Sequence, residues 1–227
     1  MLRSDGFKKL ISLAVDLLFP PRCVFCGCVV SPGTRVCRSC AEEAVRTGGV
    51  QYMNLSVNGE NIPCASLYVY RGVVRKSIVN FKFYGRRECA GFYAEQLAGM
   101  IPRCFPGVRF DAVSPVPISD ERKKKRGYNQ SALIAEPLAA RLGVPFADLL
   151  EKTRDNREQH MLGRKERKTN VRGVYRARAE ETKGKNILLI DDIVTTGATL
   201  SECARTLYEA GAESVACAAL ARVPPGS

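Results

Sequence analysis

The segment Lys185-Asn-Ile-Leu-Leu-Ile-Asp-Asp-Ile-Val-Thr-Thr-Gly-Ala-Thr199 constrains this chain more than any other. Its aliphatic run, Ile187 to Ile190, suits a parallel strand buried on both faces. Asp191 and Asp192 stand at the carboxyl end of that strand, where open α/β sheets bind ligands. Thr195, Thr196, Gly197, Ala198 and Thr199 then lead directly into a helical stretch. Gly197 lets the backbone approach an anion. The loop amides, the hydroxyls and the helix N-terminus can all donate to phosphate oxygens. Two carboxylates beside a phosphate cradle would repel a bare phosphate. They fit a ligand that also offers sugar hydroxyls and arrives with a divalent cation. A 5-phosphorylated ribose carrying a diphosphate, together with Mg²⁺, meets all three demands. No Gly-Lys follows, which excludes a Walker loop, and the acids precede the glycine, which excludes a dinucleotide fingerprint. The plain alternative is a buried strand followed by a capped helix.

The surrounding pattern alternates. Strands are expected at Ala65 to Tyr70, Asp111 to Val116, Leu149 to Lys152, Ile187 to Asp191 and Ser214 to Ala221. Helices are expected at Val73 to Phe83, Glu88 to Ile101, Asn129 to Leu142 and Thr199 to Glu209. Alternation of this kind argues for an α/β fold with a mainly parallel sheet flanked by helices. At 227 residues, 45% hydrophobic and 26% charged, the chain can bury a core. Residues 154–172 are polar, very basic and without apolar period, which reads as a mobile loop.

Five of the ten cysteines lie between Cys23 and Cys40. Cys23-Val-Phe-Cys26 and Cys37-Arg-Ser-Cys40 are two C-x2-C knuckles, the spacing that brings four thiolates around one Zn²⁺. Such a site is coordinatively closed, so its zinc is structural. Cys28 is a spare that could stand in for Cys26, and a redox pair is the competing reading. With one histidine in the chain, a His-containing finger is not expected. The organisation that follows is a helix and small zinc module over 1–45, a connector over 46–63 and the α/β domain over 64–227.

Lys8 and Lys9 precede an apolar run, Leu10 to Phe19, that resembles a signal peptide. Asp16 interrupts it and no small-residue cleavage site follows. Phe7, Leu10, Ile11, Ala14, Leu17 and Leu18 fit a helical stripe instead. No apolar run approaches the roughly 20 residues of a membrane helix. The expected location is cytoplasmic, peripheral to a membrane at most through partners.

Ile187 to Thr199 resembles the phosphoribosyl-diphosphate (PRPP) signature of type I phosphoribosyltransferases. The wider resemblance is to the ComF/GntX family of competence-associated, phosphoribosyltransferase-like proteins. It rests on the four-cysteine N-terminus, Pro115-Val-Pro117, Arg126-Gly-Tyr-Asn-Gln130, the spacing of Gln159, Leu162, Arg167 and Asn170, and the PRPP signature. Members usually carry Phe where Tyr128 stands. The resemblance implies a type I phosphoribosyltransferase-like fold. It implies that Asp191 and Asp192 face ribose hydroxyls and Mg²⁺, and that Thr195 to Thr199 hold the 5-phosphate. The segment after Pro117, with Arg126 and Asn129, would lie near the diphosphate. It also implies natural competence as the setting, with other DNA-uptake proteins as partners.

Lys and Arg number 35 against 23 Asp and Glu, a net charge of +12 that points to anionic partners. One run is Arg122-Lys123-Lys124-Lys125-Arg126. A second cluster, Arg164, Lys165, Arg167, Lys168, Arg172, Arg176 and Arg178, includes the loop where type I transferases keep a closing hood. Arg164 and Arg167 there could neutralise a departing diphosphate. A solvated charged face is the bland reading of both runs. Tyr68, Tyr70, Phe81, Phe83 and Tyr84 interleave with Arg71, Arg75, Lys76, Lys82, Arg86 and Arg87. Cations tracking phosphates beside stacking aromatics suit single-stranded DNA, although the same aromatics also read as core. His160 is either a general base or a solvated loop residue.

Three functions are compatible with these residues. One is a PRPP-binding protein that handles incoming single-stranded DNA. Another is an active phosphoribosyltransferase on a small-molecule acceptor. The last is a zinc-ribbon adaptor on a transferase scaffold, which the intact Asp191, Asp192 and Thr199 disfavour.

Overall fold

The computed structural model describes residues 19–47, 50–57, 60–153 and 173–224. In chain order the elements are α1 (Arg38–Glu43), β1 (Val50–Val57), β2 (Glu60–Val69), α2 (Gly72–Phe83), α3 (Cys89–Cys104), β3 (Ala112–Pro115), α4 (Asp120–Arg126), α5 (Gln130–Leu142), β4 (Leu150–Lys152), β5 (Tyr175–Ala177), α6 (Ala179–Thr182), β6 (Asn186–Val194), α7 (Ala198–Glu209) and β7 (Ser214–Arg222). The large sheet has the order β1-β2-β7-β6-β3. β2, β7, β6 and β3 run parallel, and β1 pairs antiparallel with β2. β4 and β5 form a separate two-stranded ribbon.

The apolar run in β6 explains the layers. Successive strand side chains point to opposite faces. Leu188 and Ile190 therefore join Ile78, Phe81, Leu97, Ile134 and Leu138 of α2, α3 and α5. Ile187 and Leu189 pack on the other face with Leu200, Cys203 and Leu207 of α7 and with Leu149 and Tyr175. A sheet covered on both sides is what a continuous aliphatic strand requires.

Residues 46–63, expected as a connector, contain β1 and the start of β2. The flanking glycines and asparagines dominate the local pattern, whereas β1 is held by pairing from Val50 opposite Ala65 to Val57 opposite Glu60. The five-cation run forms the last part of α4, and the helix accommodates it by polarity. Ser119 caps the N-terminus by accepting from the Arg122 amide, Asp120 and Glu121 fill the first turn, and the cations crowd the C-terminal turn. Gly127, at φ +78°, closes that end in the left-handed region. The helical stripe from Phe7 to Leu18 and the loop 154–172 lie outside the described residues. Among the described residues, no helix is long and apolar enough to cross a membrane.

Candidate functional site: an acid pair beside a threonine-rich loop

β3 and β6 are parallel neighbours with Pro115 opposite Ile190, so their carboxyl ends open onto one edge of the sheet. Asp191 and Asp192 lie on β6 at that edge, and the segment after Pro115 returns beside them. The Val116 amide donates to the Ile190 carbonyl at 2.8 Å. Asn129 ties this segment to α5. Its Nδ2 donates to the Val116 carbonyl at 3.0 Å, and its Oδ1 accepts from the Ser131 amide at 3.0 Å. Asn129, expected near the diphosphate, thus spends both polar atoms on the protein. The helix start it caps puts the Ser131 hydroxyl 3.2 Å from Asp191 Oδ1.

Asp191 Oδ1 also accepts from the Asp192 amide at 2.8 Å. Burial, with the Asp192 charge alongside, pushes the Asp191 carboxyl up to about 7, against the pull of Lys82, the Asp192 amide and Ser131. Asp192 is buried, and its Oδ1 is 2.9 Å from Lys82 Nζ. Lys82, singled out for nucleic acid, therefore directs its ammonium into the acid pair. Beyond the strand, Thr195 is exposed and Thr196 half-buried, and Thr196 Oγ1 accepts from the Ala198 amide at 3.4 Å. Gly197, at φ +76°, turns the chain into α7. The loop from Thr195 to Thr199 and the N-terminus of α7 thus follow directly from the acid pair.

Arg126 connects the site to the basic helix. Its Nη1 donates to Gln130 Oε1 at 2.9 Å, and its guanidinium lies 4.8 Å from the Phe83 ring centre. Burial lowers its pKa, and the nearby Asp192 charge opposes that. Gln130 is buried, and its Nε2 has no hydrogen-bond partner among the described residues. Arg122, Lys123, Lys124 and Lys125 are exposed. Phe83 is 58% exposed and Tyr84 73% exposed, whereas Tyr68 and Phe81 are core residues. Tyr70 is half-buried against the core, so the exposed rings among the five are the two that follow Lys82 at the end of α2. Tyr128 buries its ring and donates its hydroxyl to the Phe81 carbonyl. Arg176 pairs with Glu151 and Arg178 with Glu181. Arg164, Arg167 and His160 lie outside the described residues.

A second constellation stands at the N-terminal side. The sulfurs of Cys23, Cys26, Cys37 and Cys40 all lie within 4.8 Å of one another, and Cys28 is not among them. Cys26 Sγ and Cys37 Sγ are 3.8 Å apart. Two thiolates about 2.3 Å from a tetrahedral ion stand about that far from each other. The Cys37 amide donates to Cys23 Sγ at 3.4 Å, a contact that favours a thiolate. Gly27 and Gly33 have φ of +80° and +82°, the turns the knuckles need. The module is built into the main core. Phe25 packs edge-on against Tyr68 and Phe92, with centroids 5.5 and 6.1 Å away, and the Ser77 hydroxyl donates to the Val24 carbonyl at 2.7 Å.

Ser131 is not among the residues the sequence points to, whereas Gln130 belongs to the Arg126 to Gln130 segment expected beside the diphosphate. The signal that could have found Ser131 is the helix cap, since a capping Asn fixes the amide of the residue two positions on. Nothing local marks the pairing of Lys82 with Asp192.

Comparison with known proteins bears on the family. A family model described as the phosphoribosyl transferase domain matches residues 129–226, and one described as the double zinc ribbon domain matches residues 14–49. The protein named competence protein ComFC of Bacillus subtilis (strain 168) is 32% identical over 189 residues, covering 83% of this chain and 72% of that relative. The chain belongs to the ComF/GntX family. As a ComF/GntX protein it has a type I phosphoribosyltransferase-like fold, and the four-cysteine cluster together with the zinc-ribbon match supports a structural zinc. The DNA utilization protein YhgH of Salmonella typhimurium is 33% identical over 138 residues, which covers 59% of this chain and 60% of that relative. Competence protein F of Haemophilus influenzae is 30% identical over 115 residues, covering 49% of this chain and 50% of its own length. Among solved structures, the glutamine PRPP amidotransferase from B. subtilis aligns over 62% of this chain and 30% of its own. That alignment has 21% identity and a TM-score of 0.43, too loose a likeness to add to the assignment.

Proposed function

We propose that this ComF/GntX protein binds PRPP at the carboxyl ends of β3 and β6 and handles incoming single-stranded DNA in the cytoplasm during natural competence. The observation that carries the reading is the continuity of the site. The acid pair, the Thr195 to Thr199 loop and the start of α5 share one sheet edge, and Arg126 joins that edge to the exposed cations of α4 and the exposed rings of Phe83 and Tyr84. Asp191 and Asp192 accept from ribose hydroxyls, and the loop with the α7 N-terminus takes the 5-phosphate. Mg²⁺ would arrive on the diphosphate, whose charge it neutralises, with Asp191 and Asp192 facing it. The names of the relatives, two competence proteins and a DNA utilization protein, support the setting.

The test is calorimetric titration with PRPP in Mg²⁺, coupled to detection of diphosphate release. Binding is expected for the wild type and lost in Asp191→Ala/Asp192→Ala. Absence of heat with the wild type overturns the proposal. Release of diphosphate with an acceptor makes the protein an active transferase instead of a binding module.

A further inference from the structure

We propose that Lys82 is the built-in counter-cation of the acid pair and allows the site to take ribose 5-phosphate without a divalent metal. This deepens the PRPP reading and rests on it.

The ion pair is unlike a surface one. Lys82 Nζ is 2.9 Å from Asp192 Oδ1, with the side chains only 17% and 10% exposed. Water is largely excluded, so salt and solvent screen the attraction weakly. A buried ion pair seldom outperforms an apolar pair as a source of stability, because both charges must be stripped of water. Its presence at the carboxyl end of β6 therefore calls for a reason in the site itself.

The surroundings supply it. The charged groups that face the pair among the described residues are Lys82 from α2 and Arg126 from α4. The remaining contacts of Asp191 are neutral, namely the Ser131 hydroxyl and the Asp192 amide. Two carboxylates, of which Asp191 is held partly protonated near neutral pH, thus meet two cations, and the edge carries no net negative charge before any ligand arrives. The main electrostatic objection to placing a phosphate beside two acids is removed by the protein's own side chains.

Lys82 is also held in place. It lies in the last turn of α2, where the helix dipole favours a cation. The preceding residue, Phe81, is fully buried and its carbonyl accepts from Tyr128. The ammonium covers one oxygen of Asp192 and leaves the carboxylate's other oxygen for a sugar hydroxyl. A divalent ion bound at Asp192 Oδ1 would have to sit against that ammonium. The metal that accompanies PRPP is therefore carried on the diphosphate, and ribose 5-phosphate, which has no diphosphate, needs none. Lys82 acts through Asp192 and is a positioning residue.

The experiment titrates the full-length, zinc-loaded protein with ribose 5-phosphate in buffer with Mg²⁺ and in resin-treated buffer without it. Zinc content is checked in both arms, and PRPP with Mg²⁺ serves as the reference ligand. For the wild type the two ribose 5-phosphate dissociation constants should agree within about twofold. Lys82→Gln should lose about tenfold or more in affinity without Mg²⁺ and regain most of it with Mg²⁺, and Lys82→Arg should keep the metal-independent binding. Binding of ribose 5-phosphate by the wild type only when Mg²⁺ is present overturns the inference without using any variant. So does a folded Lys82→Gln that binds as the wild type does without Mg²⁺. In both cases PRPP still binds in Mg²⁺ and the proposed function stands. Failure of PRPP to bind in Mg²⁺ removes both.

Discussion

Tyr128 and Phe81 hold each other twice: the Tyr128 hydroxyl donates to the Phe81 carbonyl, and their rings pack with centroids 6.2 Å apart. Arg87 lies over the other partner of this contact, 4.4 Å from the Tyr128 ring centre. Together they fasten the turn between α4 and α5 to the end of α2, and so fix Lys82 and Arg126 relative to each other. Tyr128→Phe keeps the ring and removes the donor, which leaves a buried carbonyl unsatisfied. The expected cost is about 1–2 kcal/mol. In a chain of this size that lowers Tm by about 2–8 °C. Calorimetric melting of the two proteins checks it, and an unchanged Tm would show that the hydroxyl contributes nothing.

Asp191 provides a pH dependence. Burial and the neighbouring Asp192 charge push its folded carboxyl up to about 7, whereas an unfolded aspartate titrates at about 4. The folded state holds the proton more tightly, so ionisation costs stability. That cost is absent below the unfolded value, grows as pH rises between the two values, and is complete above the folded one. At the proposed ribose site ligand binding would run the other way, because a sugar hydroxyl donates to an ionised carboxylate. Affinity for ribose 5-phosphate should rise from pH 6 to pH 8 with proton release, read as a dependence of the calorimetric heat on buffer ionisation. Asp191→Asn should remove the release beyond what the ligand's own phosphate, with a second pKa of about 6, contributes. A flat affinity profile would remove Asp191 from sugar binding.

The zinc module predicts a cooperative effect. Cys23, Val24, Phe25 and Cys40 belong to the same core cluster as Leu188 and Ala218. Loss of the metal should therefore destabilise the α/β sheet as well as the ribbon. Metal analysis should find one zinc per chain, lost in Cys37→Ser/Cys40→Ser. Unfolding of that variant should remain a single transition at a lower temperature. A separate early transition, with the main one unmoved, would show that the ribbon is energetically independent.

What was legible in the sequence follows from how local each feature is. The acid pair, the threonine loop and the buried strand are consecutive in one segment, so composition and order alone carry them. The four cysteines are two short knuckles whose spacing reports the geometry directly. β1 was missed because its stability comes from β2, while its own neighbourhood is rich in turn residues. The Lys82 contact joins positions more than a hundred residues apart, and a lysine in a basic stretch reads as surface until the sheet brings Asp192 to it. The interleaved aromatics were ambiguous for a similar reason. Tyr68 and Phe83 look alike in sequence, and only packing buries the first and exposes the second.

The last prediction concerns that exposed edge. Lys123, Lys124 and Lys125 have no ion-pair partner among the described residues and face solvent on α4. If they track a DNA backbone, each phosphate contact releases a condensed counterion, and affinity falls with salt. Replacing all three with Gln should reduce the slope of log K against log salt by about 2 for a single strand. Phe83→Ala/Tyr84→Ala should act differently. It should weaken binding by about 1–3 kcal/mol per stacked base and leave the salt slope unchanged. Both variants alter exposed side chains, so their melting temperatures should match the wild type. Fluorescence anisotropy with a labelled single-stranded oligonucleotide across a salt series separates the two contributions. Equal slopes in wild type and the triple Gln variant would place the DNA elsewhere on the protein. A loss in the aromatic variant that disappears with salt would mean that the rings only position the cations, as Phe83 does for Arg126.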